Sequence, residues 1–221
     1  MSSADHEDHP MGLAEQWDRH VVPRLVDVAL NDRMTHRWRE SVAAGARGTV
    51  LDVGFGSGRN LPFLDPAVVD RVLVVEPSDV AWERSAAARR AFGRPVERVG
   101  LDGAALDLAA DSVDTAVTTW TLCTIPDVTS ALAEMARVVR PGGTLRFAEH
   151  SLAPDAGPRR TARRIQPVWG RLAGGCHLTR DIPRLVADAG YEVTLTQTRY
   201  ATPLRATRFS SWFVTGSATP R

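Results

Sequence analysis

The spacing of apolar positions along this chain changes near residue 48. Before that point Trp17, Val21, Leu25 and Val28 recur near the helical period. This predicts a helix over 13–30, with Pro23 as a break or a start, and a second helix over 32–44. After it, short apolar runs alternate with helical stretches. Strands are predicted at 49–53, 71–75, 96–100, 113–119 and 144–149, and helices at 81–92 and 128–139. The last of these helices is stopped by Pro141, Gly142 and Gly143. An Arg-rich helix over 158–172, interrupted or restarted around Pro167, comes next, then a helix over 181–189 closed by Gly190. Two strands, 191–200 and 209–215, finish the chain, joined by a loop that contains Pro203. Strands alternating with helices predict an α/β fold with a doubly wound parallel sheet. The closing pair predicts an antiparallel hairpin at one sheet edge.

Composition narrows this to a globular domain and removes several function classes. Of 221 residues, 43% are hydrophobic and 24% charged, which is not the composition of a disordered chain. All 27 basic residues are Arg, against 26 acids. The absence of Lys excludes a P-loop lysine and Schiff-base chemistry. A net charge of +1 is not that of a general nucleic-acid binder. Two cysteines, Cys123 and Cys176, make neither a disulfide framework nor a four-ligand zinc site. They read as buried small apolar residues in a reducing, cytoplasmic setting. The six histidines show no ligand spacing, so no metal is expected. No run reaches the roughly 18 apolar residues of a membrane span, and Met1 to Pro10 has no signal-peptide pattern.

The strongest local signal is VLDVGFGSGRN at 50–60, a buried strand running into Gly54, Gly56 and Gly58 with a helix expected to follow. Glycines there permit unusual backbone dihedrals and close approach of a ligand. Glu76 ends the second strand 22 residues after Gly54, where an acid can accept both hydroxyls of a ribose. Asp102, after the third strand, can accept from an exocyclic adenine amine. The dinucleotide motif is G-x-G-x-x-G, but here the glycines are spaced G-x-G-x-G and Arg59 stands where the third would fall. A nucleoside with a zwitterionic tail fits this loop better than a diphosphate.

These residues resemble class I S-adenosylmethionine-dependent methyltransferases. The matching pieces are the glycine loop, VVEPS at 74–78, the Asp102 region, ADSVDTAVTTWTLCTIPD at 110–127 and EMARVVRPGGTLRFAEH at 134–150. Glu149-His150, Pro167-Val168-Trp169 and GGCHLTR at 174–180 are similar to the methyltransferase-like 7 group of small-thiol methyltransferases. Phospholipid and ubiquinone/menaquinone methyltransferases are more distant neighbours. The resemblance implies a Rossmann-like sheet of seven strands, mostly parallel, with an antiparallel C-terminal edge strand. It implies S-adenosylmethionine as cofactor and S-adenosylhomocysteine as product. Asp52, Gly54, Gly56 and Gly58 would border the methionine part, Glu76 the ribose, and Pro77, Ser78, Asp102 and Gly103 the adenine. Thr119, Trp120 and Leu122 would flank the donor and face the acceptor. Phe55 and Ala104 depart from the family pattern, the first as a source of crowding and the second as a lost polar contact.

Methyl transfer from a sulfonium needs alignment first, and a base only where the acceptor is protonated. His150 and His177 are the candidate bases, and Trp17, Trp120 and Trp169 the candidate walls of an apolar acceptor pocket. Residues 1–44 are expected to form a tail and covering helices, and 45–221 the methyltransferase domain, with a lid-like insertion over 151–180. Arg159, Arg160, Arg163 and Arg164 share one helical face. It reads as a solvated face above an apolar stripe of Ile165, Val168, Trp169 and Leu172, in preference to membrane contact. The expected acceptor is a small hydrophobic molecule methylated at S, O or N. The alternatives are a phospholipid or quinone-precursor methyltransferase, and a non-catalytic module that only binds S-adenosylmethionine.

Overall fold

The structure is a computed structural model that describes residues 33–221, so Trp17 and the 13–30 helix lie outside the described residues. It opens with α1 (Arg33–Ala43). Thr35, Trp38, Arg39, Val42 and Ala43, at helical spacing, are its buried side. Seven strands follow: β1 (Gly48–Val53), β2 (Val69–Val75), β3 (Val96–Gly100), β4 (Val113–Thr119), β5 (Val139–His150), β6 (Tyr191–Tyr200) and β7 (Trp212–Pro220). They lie side by side in the order β3-β2-β1-β4-β5-β7-β6. Strands β1 to β5 pair in parallel, and β7 runs antiparallel to both β5 and β6. The expected seven-stranded sheet with a C-terminal hairpin at its edge is present. Within the hairpin, the last strand slots between β5 and β6, which leaves β6 outermost.

Alternation along each strand builds two cores. Leu51, Val53, Leu73, Val75, Leu145 and Phe147 face one side, under Leu132 and Met135 of α4 (Val128–Val138). Val50, Val72, Val74, Val117 and Ala148 face the other, under Trp38 and Val42 of α1. The register sets Val53 level with Val75 and Thr118. The strands therefore end together, and the loops after β1, β2 and β4 open on one rim, where open α/β sheets bind ligands.

Local structure departs from the sequence pattern at five places; at one of them β5 starts at Val139, five residues before the expected 144, and runs through Pro141, Gly142 and Gly143. No α-helix follows the glycine loop: a turn leads into a single 3-10 turn, Leu61–Phe63, with Pro62 at its start. Pro62 provides no N–H for a helical ladder, and Pro66 follows four residues on. The helix expected over 81–92 is two, α2 (Asp79–Arg84) and α3 (Ala86–Phe92). They part at Ser85, whose hydroxyl bonds back to the Trp82 carbonyl at 2.5 Å. Conversely, α5 (Ala156–Leu172) runs unbroken through Pro167. Pro167 and Arg163, four residues before it, are both exposed, so the lost ladder bond opens to water. Residues Arg205–Ser210 form a 3-10 turn, and β7 begins after it, later than expected. The last helix, α6 (Ile182–Asp188), is capped by Asp181. Among the described residues no helix is long and apolar enough to cross a membrane.

Candidate active site

The rim holds a cavity of about 540 Å³, lined by the loops after β1, β2, β3 and β4 and by Ala173, Gly174 and Gly175 beyond α5. Gly54, Gly56 and Gly58 all take positive φ, at 76°, 58° and 77°. The Gly54 N–H donates to the Val75 carbonyl at 2.9 Å, pinning the loop to the end of β2. A Cβ on Gly54 would lie 2.1 Å from Thr121 Oγ1, so loop and post-β4 turn touch only because it is glycine. Gly54 and Gly56 line the cavity, whereas Gly58 packs against Phe55 and Ser85. Gly54→Ala is therefore expected to lose at least about tenfold in donor affinity, since left-handed backbone strain alone is roughly 1–2 kcal/mol for an L-residue. Calorimetry with S-adenosylhomocysteine reads this directly, and unchanged affinity would refute the close approach.

Glu76, buried at the end of β2, clasps the loop. Its Oε2 accepts the Gly56 N–H at 2.6 Å and its Oε1 the Ser78 N–H at 2.8 Å. Ser78 in turn caps α2, accepting from the Ala81 N–H at 3.2 Å. Pro77, Asp102 and Gly103 complete this end of the cavity, and one oxygen of Asp102 accepts from the Ala104 N–H at 2.8 Å. Phe55 packs on Trp82, ring centroids 6.0 Å apart, and is buried.

Asp52 does not line the cavity. It is 1% exposed on the α1 face of the sheet, and both its oxygens accept from Asn60 Nδ2, at 3.2 and 3.0 Å. Arg39 of α1 donates to Asn60 Oδ1 at 2.8 Å and to Thr119 Oγ1 at 2.9 Å. Burial pushes the Asp52 carboxyl up to about 6, although Asn60 and Arg39 oppose it. The network carries Arg39 onto the cavity wall, its guanidinium 4.6 Å from the centroid of the Trp120 ring. Neither Arg39 nor Asn60 is marked by the sequence as a site residue: Asn60 closes the glycine motif with no role of its own there, and Arg39 sits in no motif, since α1 reaches the rim only through packing.

The turn after β4 forms the opposite wall. Thr119, Trp120, Thr121, Thr124, Ile125 and Pro126 line it, while Leu122 is fully buried in the core behind. Trp120 has φ +56°, which is rare for a bulky residue and is held by its N–H bond to the Ala148 carbonyl. Glu149 fixes the turn. Its Oε1 accepts the Thr121 and Leu122 N–H groups at 3.0 and 3.1 Å, and its Oε2 the Cys123 N–H at 3.3 Å. It is fully buried, which raises its carboxyl to about 7 despite these bonds. In the sequence Glu149 stands out only as half of the Glu149-His150 pair, with no role of its own.

His150, His177 and Trp169 do not line the cavity. His150 is buried against Phe213, ring centroids 5.6 Å apart, because the end of β5 pairs with β7 there. His177 donates its backbone N–H to the Cys123 carbonyl at 2.8 Å, and desolvation lowers its imidazole pKa. Cys123 and Cys176 are free. Their sulfurs meet behind the wall, raising the Cys123 thiol and lowering that of Cys176, which also neighbours His150 and Trp169. The 151–180 insertion thus reaches the cavity through 173–175, and its helix stands outside.

A methyltransferase-domain family matches residues 51–147. Human thiol S-methyltransferase TMT1A is 31% identical over 192 residues, 81% of this chain and 77% of its own length. Rat thiol S-methyltransferase TMT1B is 32% identical over 60% of this chain; the match spans 55% of the rat protein. The chain is a class I S-adenosylmethionine-dependent methyltransferase. A solved geranyl diphosphate methyltransferase in complex with S-adenosylmethionine shares the fold, with a TM-score of 0.67, 16% identity and 88% coverage of each chain. The cavity of this methyltransferase fits the cofactor. Its volume is that of a small-ligand site, and each Glu76 oxygen keeps a second lone pair for a hydroxyl. Nothing would meet a Cβ at Gly56, so the loop faces open space there.

Proposed function

We propose that this methyltransferase transfers its methyl group to the sulfur of a small, apolar thiol, with Glu76 taking the ribose and Asp102 the adenine of the donor. The observation that carries the reading is the make-up of the wall opposite the nucleoside end. Among the described lining residues the only carboxylates are Glu76 and Asp102, and there is no histidine. What faces the acceptor end is Trp120, threonines, Ile125, Pro126 and the buried cation Arg39. An alcohol would need a base there. A thiol, with an ordinary pKa near 8.5, needs only a cation that favours its thiolate. Bound there, S-adenosylmethionine supplies an activated methyl group on a sulfonium. The acceptor proton leaves to solvent, the new carbon–sulfur bond forms as the sulfonium bond breaks, and a thioether and S-adenosylhomocysteine are released. The thiol S-methyltransferase relatives support the same acceptor class.

The test is turnover against thiols, phenols, amines and lipids, with the methylated atom read by mass spectrometry. For thiols, Arg39→Met is expected to move the rising limb of the kcat/KM profile up by about one pH unit and to cut the rate near neutrality about tenfold. Arg39→Lys should recover part of it, and S-adenosylhomocysteine affinity should hold. Methylation confined to N or O, or an unshifted Arg39→Met profile, would sink the thiol reading.

A further inference from the structure

The outward face of α5 is unused by the chemistry above. Its spacing predicts one buried apolar stripe of Ile165, Val168, Trp169 and Leu172, and the structure divides it. Trp169 turns inward onto Phe209, ring centroids 5.8 Å apart, whereas Val168 and Leu172 are 59% and 62% exposed. These two continue, in steps of four, the exposed line of Arg160 and Arg164, with Arg163 and Arg171 exposed beside it. The 3-10 turn Arg205–Ser210 packs against the helix, preceded by exposed Leu204. Helix and turn together carry seven arginines and no carboxylate, in a chain whose net charge is only +1. Arg160, Arg164 and Arg205 line a second hollow of about 390 Å³. Among the described residues no carboxylate pairs with them, and Asp155, just before the helix, is engaged by the Tyr200 hydroxyl at 2.6 Å.

We propose that this face docks on an anionic lipid bilayer. Charge complementarity commits it to an anionic surface. The exposed aliphatic side chains, Val168 and Leu172 on the same helix line and Leu204 before the turn packed against it, favour a bilayer over a nucleic acid, because they gain by entering the interfacial layer while the arginines meet headgroup phosphates. The hollow gives one phosphate a three-arginine seat. Helix α5 leads directly into Ala173–Gly175 on the cavity wall, so docking sets the cavity beside the phase in which an apolar acceptor dissolves. The docking does not depend on the acceptor being a thiol.

The experiment is co-sedimentation of the full chain with vesicles of phosphatidylcholine plus phosphatidylglycerol, against phosphatidylcholine alone. Binding is expected to the anionic vesicles only and to be released by high salt. Arg160→Glu with Arg164→Glu should lower the partition constant about tenfold or more. Val168→Ser with Leu172→Ser should weaken binding at unchanged charge. S-adenosylhomocysteine affinity, retained in both, shows that the variants fold, and the salt arm needs no variant. Four results would overturn the proposal: no binding to anionic vesicles, equal binding to neutral ones, equal sedimentation of the charge-reversed protein, or thermal stabilisation by inorganic phosphate without vesicle binding. Full vesicle affinity in the serine variant, with displacement by single-stranded RNA, would assign the face to nucleic acid instead.

Discussion

Glu76→Ala is expected to weaken S-adenosylhomocysteine binding by about two to three orders of magnitude, because hydrogen bonds to a charged group contribute roughly 1.5–3 kcal/mol each. The carboxylate has two tasks at once. It holds the Gly56 and Ser78 N–H groups, and so sets the glycine loop and the start of α2. Its remaining lone pairs are the ones proposed to receive the ribose. Alanine removes both, leaving two backbone donors to find water and a loop of three positive-φ glycines without its clasp. Glu76→Gln should fall in between, since one oxygen remains an acceptor while the amide nitrogen cannot accept. Asp102→Ala should cost only a few-fold, because Asp102 is exposed at the cavity mouth. Calorimetry gives the ordering Glu76→Ala, then Glu76→Gln, then Asp102→Ala. A folded Glu76→Ala protein that binds S-adenosylhomocysteine like the parent would remove the assignment of the nucleoside end, and the proposed function with it.

How far the sequence could be read follows the range of the interactions. Parallel strands buried on both faces appear as continuous apolar runs, so β1, β2 and β4 are legible in that way; β3 at the sheet edge and the largely exposed β6 are legible from their β-branched residues between turn signals. The glycine loop and Glu76 are legible because a motif at fixed spacing has a backbone reason. The sequence also shows Asp52 beside the loop. Strand alternation then turns its side chain away from the cavity, towards Asn60 and Arg39, which periodicity could have told. Arg39 meets Thr119 across 80 positions, and although the segment after β4 marks Thr119, nothing local marks Arg39. The two histidines looked catalytic because histidine titrates near neutrality. Their places are set instead by the pairing of β5 with β7 and by the backbone bond between His177 and Cys123. Helix ends were less legible than strands: a proline that stops a helix in a buried setting is tolerated at position 167 because water satisfies the freed carbonyl. The stripe on α5 shows the same limit. Spacing gives the face a side chain shares, and only packing decides whether that face is covered.

Glu149 carries the largest expected effect on stability. Glu149→Ala leaves the Thr121, Leu122 and Cys123 N–H groups unpaired in the core, each at about 1–3 kcal/mol, so a loss on the order of 3–5 kcal/mol is expected. The same residue makes stability depend on pH. Burial lifts its carboxyl from 4.5 to about 7, so between those values the native protein holds a proton that the unfolded chain has released. The native state then binds more protons than the unfolded one, and stability declines as pH rises through that window, by roughly 3 kcal/mol in all. Glu149→Gln keeps one acceptor and cannot titrate. Its melting temperature should be below that of the parent near pH 5 and should fall less towards pH 8, so the two curves converge. Asp52 pulls in the same direction but is present in both proteins, so the difference between the curves isolates Glu149. Parallel melting curves would refute the raised carboxyl. Convergence would show that the loss of stability at high pH is the desolvation of a buried charge at Glu149, which outweighs the three N–H bonds that favour its ionised form and hold the turn bearing Trp120.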